Sequence, residues 1–316
     1  MTGVRLPVQQ GTDAWLVARR GLVTATDIPV LLGLNPYKSE ARLADEKRGD
    51  PTDPPNAAMR LGLAIESFVA IEYQSATGRR VRRVRHLLRH PDIEWAAASL
   101  DREVIGERRI VEIKSTASRR WEDGLPQDVQ AQVMWQMGVG GYPVADVAAW
   151  VFGAKEPLRI TTLEYDAALF GGLVDIATDF RRRLAAGGPF TPDLGYLRDK
   201  YPTDDGAEMA ADADLESTVR LLLTTRAERK ALQGREDALE ASVKDRMGAV
   251  AVLSGSGWHV VWRRTKDRSE TDHRALADEL LSQVPESERA ALVGRFTGVR
   301  QGFRPFRLVA EKEAEE

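Results

Sequence analysis

Hydrophobic positions along the chain change period several times, and each change predicts an element. Leu61, Ile65, Phe68, Val69 and Ile71–Tyr73 share one side of a 3.6-residue repeat, which predicts an amphipathic helix over 59–76. Upstream, residues 11–32 read as a short helix, a glycine turn and a second helix. The second helix is entered at Thr24 or Thr26, where "TATD" offers N-caps to the apolar run Ile28–Leu32. Residues 41–47 look helical, between the loop GLNPYKSE (33–40) and a proline-rich break at 50–55. Arginine alternates loosely with apolar residues over 79–88, and strands are further expected over 95–100 and 109–115 (RIVEIKS). A helix over 129–138, strands over 147–152 and 158–163, and a helix over 165–185 complete this part.

Helices, a β-meander, a helix, more strands and a final helix predict an α/β or α+β core, a central mixed β-sheet flanked by helices, over residues 1–200. After YPTDDG (201–206) the texture changes, so residues 201–316 form a C-terminal extension. It begins with a long charged helix over 214–247, with Leu215, Val219, Leu222, Leu232, Leu239 and Val243 on approximately one stripe. That stripe reads either as half of a helical hairpin or coiled coil, or as a solvated surface helix. Strands over 258–263 and 303–309 and a helix over 273–281 follow. Trp258 and Trp262, at even spacing on one strand, are expected in the core.

Composition narrows the classes. The 316 residues contain no cysteine, which excludes disulfides, thiolate zinc sites and iron–sulfur clusters. His86, His90, His259 and His273 show no metal-ligand spacing and read as structural. No apolar leader or membrane-length run is present, so a soluble cytoplasmic protein is expected. The formal net charge of −3 does not advertise a nucleic-acid partner, but a local basic channel would suffice for one. Residues 79–90 hold six arginines, two histidines and no acid. They suit either a strip that tracks a phosphate backbone or an edge strand kept soluble by charge. Tyr37 and Lys38 in their loop could stack on a frayed base, or Tyr37 could simply fill a turn.

The candidate chemistry lies in the meander. Asp101 ends one predicted strand ahead of a turn containing Gly106, and Glu112 and Lys114 are two apart on the next, so they share a face. A β-hairpin would fold Asp101 back beside Glu112. Charged groups set among Ala96–Ala98, Ile110, Val111 and Ile113 cost free energy unless they bind something. Two carboxylates suit magnesium, and a lysine beside the metal could position or deprotonate its water. Glu66 on the preceding helix could supply a third carboxylate. Taken alone, the D-x(10)-E-x-K spacing is common and favours the plainer reading, a solvent-facing Glu112–Lys114 pair with Asp101 as a turn residue.

Several motifs in order change that balance. Trp15, Arg19, Gly21, Thr24, Ala25 and Thr26 form W-x(3)-R-x-G-x-x-T-A-[ST]. GLNPYKS (33–39) with Glu46-Lys47, MRLGLAIE (59–66), SLD (99–101), EIK (112–114), and Pro126, Gln132 and Met137 follow. Over about residues 8–187 the chain resembles the YqaJ-type viral recombinases, a group that includes phage lambda exonuclease within the PD-(D/E)XK, restriction-endonuclease-like nucleases. The resemblance implies metal ligands at Glu66, Asp101, Glu112 and the Ile113 carbonyl, a catalytic lysine at Lys114 and an active-site glutamine at Gln132. It implies a pocket for a DNA 5′-phosphate at Arg19, Thr26 and Ser99. It also implies a Mg2+-dependent, Mn2+-tolerant 5′-to-3′ exonuclease on double-stranded DNA ends. Such an enzyme makes 3′ single-stranded tails for an annealing protein, and a homo-oligomer is expected. Leu100 stands where the superfamily motif has proline, and the residues after about 200 have no counterpart in the compact lambda enzyme. A structure-specific or defence endonuclease on the same core, or an inactive DNA-binding protein, are the alternatives. The intact Glu66, Asp101, Glu112 and Lys114 set speaks against the last.

Overall fold

Strand β1 (Val4–Gln9) precedes helix α1 (Asp13–Arg20), which Thr12 caps by accepting the main-chain N–H of Trp15. The computed structural model describes residues 2–50, 56–117, 119–121, 124–298, 302 and 304–306. Next come β2 (Val23–Thr24), the one-turn α2 (Ile28–Leu31), and α3 (Glu40–Arg48), which Ser39 caps. Helix α4 (Ala57–Thr77) starts at the Asn56 cap and stops at Gly78, whose φ of 71° is the left-handed conformation that glycine adopts without strain.

The meander is more divided than alternation suggested. The stretch read as one strand is two, β3 (Val81–Arg83) and β4 (His86–Arg89), which join different sheets. The stretch 95–100 contributes only β5 (Ala96–Ala98), so Ser99 and Asp101 are not on a strand. The hairpin that holds the candidate chemistry is instead β6 (Arg102–Val104) with β7 (Arg109–Thr116), turning at Gly106. Helix α5 (Gln127–Gly140), strands β8 (Val144–Val151) and β9 (Leu158–Glu164), α6 (Ala167–Ala185) and α7 (Leu194–Lys200) follow. Asp166 caps α6 by accepting from Ala168 and Leu169. Neither β1 nor α7 was legible in the periodicity.

The first unit, Met1–Tyr201, is therefore a mixed α/β structure with two mixed sheets flanked by helices. The larger sheet has the order β3-β6-β7-β8-β9, with β7 and β8 parallel and the other neighbours antiparallel. The smaller has the order β1-β4-β5-β2, with β2 and β5 parallel. Alternation along β7 and β8 sends Val111 and Ala148 toward Val69 and Tyr73 of α4. It sends Ile110, Ala145, Val147 and Ala149 into the main core with Trp135, Val133 and Met137 of α5 and residues of α6. Gly138 lets α5 and α6 meet closely: a Cβ there would stand 2.2 Å from the Phe170 ring. On the α4 side, Asp146 is buried and accepts from Tyr73 Oη at 2.6 Å, Arg109 Nη1 at 2.7 Å and Thr162 Oγ1 at 2.7 Å.

The second unit, Pro202–Glu316, contains α8 (Ala213–Met247), a two-stranded hairpin of β10 (Val252–Gly255) and β11 (Trp258–Val261), α9 (His273–Ser282) and α10 (Glu286–Phe296). Met247 is the buried residue of α8, while Leu215, Leu232 and Leu239 are exposed. Trp258 and Trp262, expected in the core, are also exposed, because a two-stranded ribbon has no second layer of its own to cover them. The strand expected over 303–309 lies mostly outside the described residues, and 304–306 carry no strand. No described helix is long and apolar enough to cross a membrane.

Asp146→Ala should cost about 3–5 kcal/mol, because it takes the acceptor from the Tyr73 and Thr162 hydroxyls and leaves Arg109 with Glu107 alone. Urea unfolding measures this, and a loss below about 1 kcal/mol would mean the network is not structural.

Candidate active site

The β6–β7 register pairs Arg102 with Val111 and Glu103 with Ile110. Continued by one residue, it sets Asp101 opposite Glu112. The regular ladder has ended there, and Asp101 Oδ2 instead accepts the main-chain N–H of Ile113 at 2.8 Å. Glu112 and Lys114 point to the α5 side of the sheet. Glu112 is only 5% exposed, and its Oε1 accepts from Lys114 Nζ at 2.7 Å and from Gln132 Nε2 at 2.7 Å. The Gln132 side-chain carbonyl accepts a second hydrogen bond from Lys114 Nζ, at 2.9 Å. Carboxylate, ammonium and amide thus close a triangle that fixes Lys114 at its charged end.

Electrostatics follow from this closeness. Burial, and then the negative charge of Glu112, push the Asp101 carboxyl up to about 8, although the Ile113 N–H and Lys114 oppose the rise. Burial works against charge on Lys114, yet Glu112 raises its pKa above the ordinary lysine value. Two neighbouring carboxylates are hard oxygen donors, and their chemistry fits a divalent cation.

Glu66 differs from the expectation. It lies near enough for its charge to raise Asp101 further, but its Oε1 is taken by Arg102 Nη1, and Arg83 stands 3.8 Å from Oε2. Among the described residues no three acidic or histidine side chains are gathered at metal-holding distance. A spacing argument could not foresee this, because Arg102 reaches Glu66 only once β6 lies under α4.

Arg19, Thr26 and Ser99 are brought together around Trp15. Arg19 Nη2 donates to Thr26 Oγ1 at 2.7 Å and to Thr24 Oγ1 at 3.0 Å, and its guanidinium lies 4.4 Å from the centre of the Trp15 ring. Trp15 Nε1 in turn donates to Ser99 Oγ at 3.3 Å. Asp27 is the N-cap residue of α2, but its side chain does not cap the helix; it accepts from the Thr24 N–H and hydroxyl at 2.8 and 2.9 Å and from Lys47 Nζ at 2.7 Å. Burial opposes its ionisation, but Lys47 and then Arg19 hold its pKa below the usual aspartate value.

Gln136 went unnoticed in the sequence. Its Nε2 donates to Glu112 Oε2 at 2.8 Å and to the Ser99 carbonyl at 3.0 Å, so one buried amide joins the carboxylate centre to the Arg19 cluster. The available signal was its position one helical turn after Gln132. The arginine strip is divided: Arg79 pairs with Glu107, Arg82 with Glu103, and β3 is an edge strand. Tyr37 is exposed, in a loop that Asn35 closes by accepting the N–H groups of Tyr37 and Lys38.

A mixed sheet thus presents a carboxylate–lysine centre, with a guanidinium held among hydroxyls near it. Residues 14–143 match the family described as the YqaJ-like viral recombinase domain. All nine candidate residues fall within it. The chain is 28% identical over 309 residues to the uncharacterized protein YqaJ of Bacillus subtilis (strain 168), covering 93% of this chain and 95% of that protein. The alkaline exonuclease LHK-Exo of Laribacter hongkongensis is similar at 25% identity and a TM-score of 0.47, over 60% of this chain and 97% of that one. Its complex with dAMP gives 24% identity and a TM-score of 0.48, with the same coverage.

The raised Asp101 pKa sets a pH dependence. Its folded value of about 8 lies above the unfolded carboxylate value, so the stability it contributes is present below the latter and is lost as pH rises through about 8. In chelator, the wild-type melting temperature should therefore fall between about pH 6 and about pH 9 by more than that of Asp101→Asn. Parallel curves in differential scanning calorimetry would contradict the assignment.

Proposed function

We propose that this chain is a divalent-metal-dependent 5′-to-3′ exonuclease on double-stranded DNA, leaving 3′ single-stranded tails for an annealing protein in phage-type recombination. The single observation that carries the reading is Gln136, whose amide touches both Glu112 and the Ser99 carbonyl. A terminal phosphate held by Arg19, Thr26 and Ser99 would lie next to the group that cuts. The chemistry is assigned to residues 1–200, and the extension over 201–316 to assembly or partner contact.

Asp101, Glu112 and the Ile113 carbonyl would hold the cation, with Glu66 able to join when released from Arg102. Bound there, a cation such as Mg2+ or Mn2+ lowers the pKa of a water and offsets charge on the phosphate. Lys114 orients that water and meets the phosphate as a point charge. Gln132 keeps the amine aimed, since it accepts from Lys114 while donating to Glu112. Arg19 supplies the planar donor set best matched to a terminal phosphate dianion.

Lys114→Ala and Glu112→Ala should each lower cleavage by roughly a thousandfold or more while duplex binding persists, because several kcal/mol of transition-state stabilisation are lost. A linear duplex labelled at either the 5′ or the 3′ end, digested with magnesium, reports both this loss and the polarity. Near-normal digestion by either variant, or release beginning at 3′ ends, would sink the proposal.

Arg19→Ala should slow digestion of a 5′-phosphorylated duplex by roughly one to two orders of magnitude, and a 5′-hydroxyl duplex much less. Equal rates for the two ends in wild type, or equal slowing of both in the variant, would remove the 5′-phosphate pocket.

A further inference from the structure

Lys47 takes no part in the chemistry just described, yet it is among the most thoroughly bonded side chains in the first unit. Only 7% of its side chain is exposed, and its ammonium spends its three donors on the Arg19 carbonyl at 2.9 Å, the Leu22 carbonyl at 2.6 Å and Asp27 Oδ2 at 2.7 Å. Asp27 is equally buried. It stands one hydroxyl away from Arg19: Arg19 Nη2 donates to Thr24 Oγ1, which donates to Asp27 Oδ2. Among the described residues no carboxylate forms an ion pair with Arg19 itself. Two hydroxyls and an indole face hold the guanidinium, and none of them cancels its charge.

We propose that Lys47 is a positioning residue that keeps Arg19 free for an anionic ligand, by neutralising Asp27 before Asp27 can claim the guanidinium. The inference rests on the reading of Arg19, Thr26 and Ser99 as a terminal-phosphate pocket. A buried carboxylate without a partner recruits the nearest cation. The nearest after Lys47 is Arg19, already linked to it through Thr24. Replacing Lys47 by an apolar residue would draw Arg19 inward onto Asp27. Its charge would then be spent on the protein, and Thr26 would lose its donor. Asp27 itself does not touch the ligand position: its Oδ2 accepts the Thr24 hydroxyl that receives Arg19, a role the neutral side-chain oxygen of an asparagine can also fill.

This differs from a purely structural clamp in one respect. A clamp works through the Arg19 and Leu22 carbonyls and is lost whenever the ammonium is lost. A charge guard is needed only while Asp27 is ionised. Removing both charges, in Asp27→Asn with Lys47→Met, should therefore leave Arg19 available, whereas Lys47→Met alone should not.

The experiment compares binding of two duplexes of one sequence, one ending in 5′-phosphates and the other in 5′-hydroxyls, to the full chain in EDTA. Wild type should prefer the phosphorylated duplex. Lys47→Met should lose roughly tenfold or more of that preference, the worth of a charge-assisted contact. The double variant should recover most of it. If Lys47→Met fails to fold, the double variant decides alone, because it lacks the clamp but keeps the guanidinium free. Loss of preference in the folded double variant, or full preference in Lys47→Met, overturns the role of Lys47 and leaves the pocket standing. Absence of any preference in wild type overturns the pocket reading and the inference with it.

Discussion

Glu112 is a carboxylate on a strand that is buried on both faces, and the arrangement around it follows from that placement. A buried carboxylate must be given donors or it destabilises the sheet. Here Lys114, Gln132 and Gln136 provide them. Two of the three come from α5, so the helix lies where it does for polar as well as apolar reasons. Trp135, Val133 and Met137 fill the core while the two glutamines of the same helix reach Glu112 on the central strand β7. The same helix carries Gly138, whose missing side chain admits the Phe170 ring of α6.

The two clusters of charge in the first unit solve the burial problem differently. Around Asp27 the charges match one to one, with a lysine whose every donor is used, so the pair is electrically closed and serves as a frame. Around Asp101 and Glu112 they do not match, and the Asp101 carboxyl is held far above its ordinary range. A frame that closes beside a centre that does not is the expected division between parts that hold position and parts that take a ligand. Asp146, with its tyrosine, arginine and threonine, is another closed frame, on the opposite side of the sheet.

Legibility in the sequence tracked the range of the interaction. Helix α4 was readable because its apolar spacing is a property of neighbouring residues, and the face shared by Glu112 and Lys114 was readable because strand alternation is equally local. Residues Arg79–Leu88 misled: alternation says that a segment is extended, but not that it leaves one sheet for another at Val84–Arg85. The stripe on α8 was overdrawn for a related reason. Leu215, Val219 and Leu222 lie on one side of a 3.6-residue helix, and Leu232, Leu239 and Val243 have rotated well away from it.

By itself, the sequence determined which residue types stand at the site, the strand that carries Glu112 and Lys114, the helix that carries Gln132, and the absence of any thiol chemistry. Only the tertiary structure decided who touches whom. It turned Glu66 toward Arg102, gave the Asp27 side chain to Lys47 instead of to the N–H groups of α2, and set the Gln136 amide between Glu112 and Ser99. The physical reason is that propensity and periodicity act within a few residues of chain. An ion pair between residues 20 to 40 positions apart depends on which elements pack together, and packing is a property of the whole core.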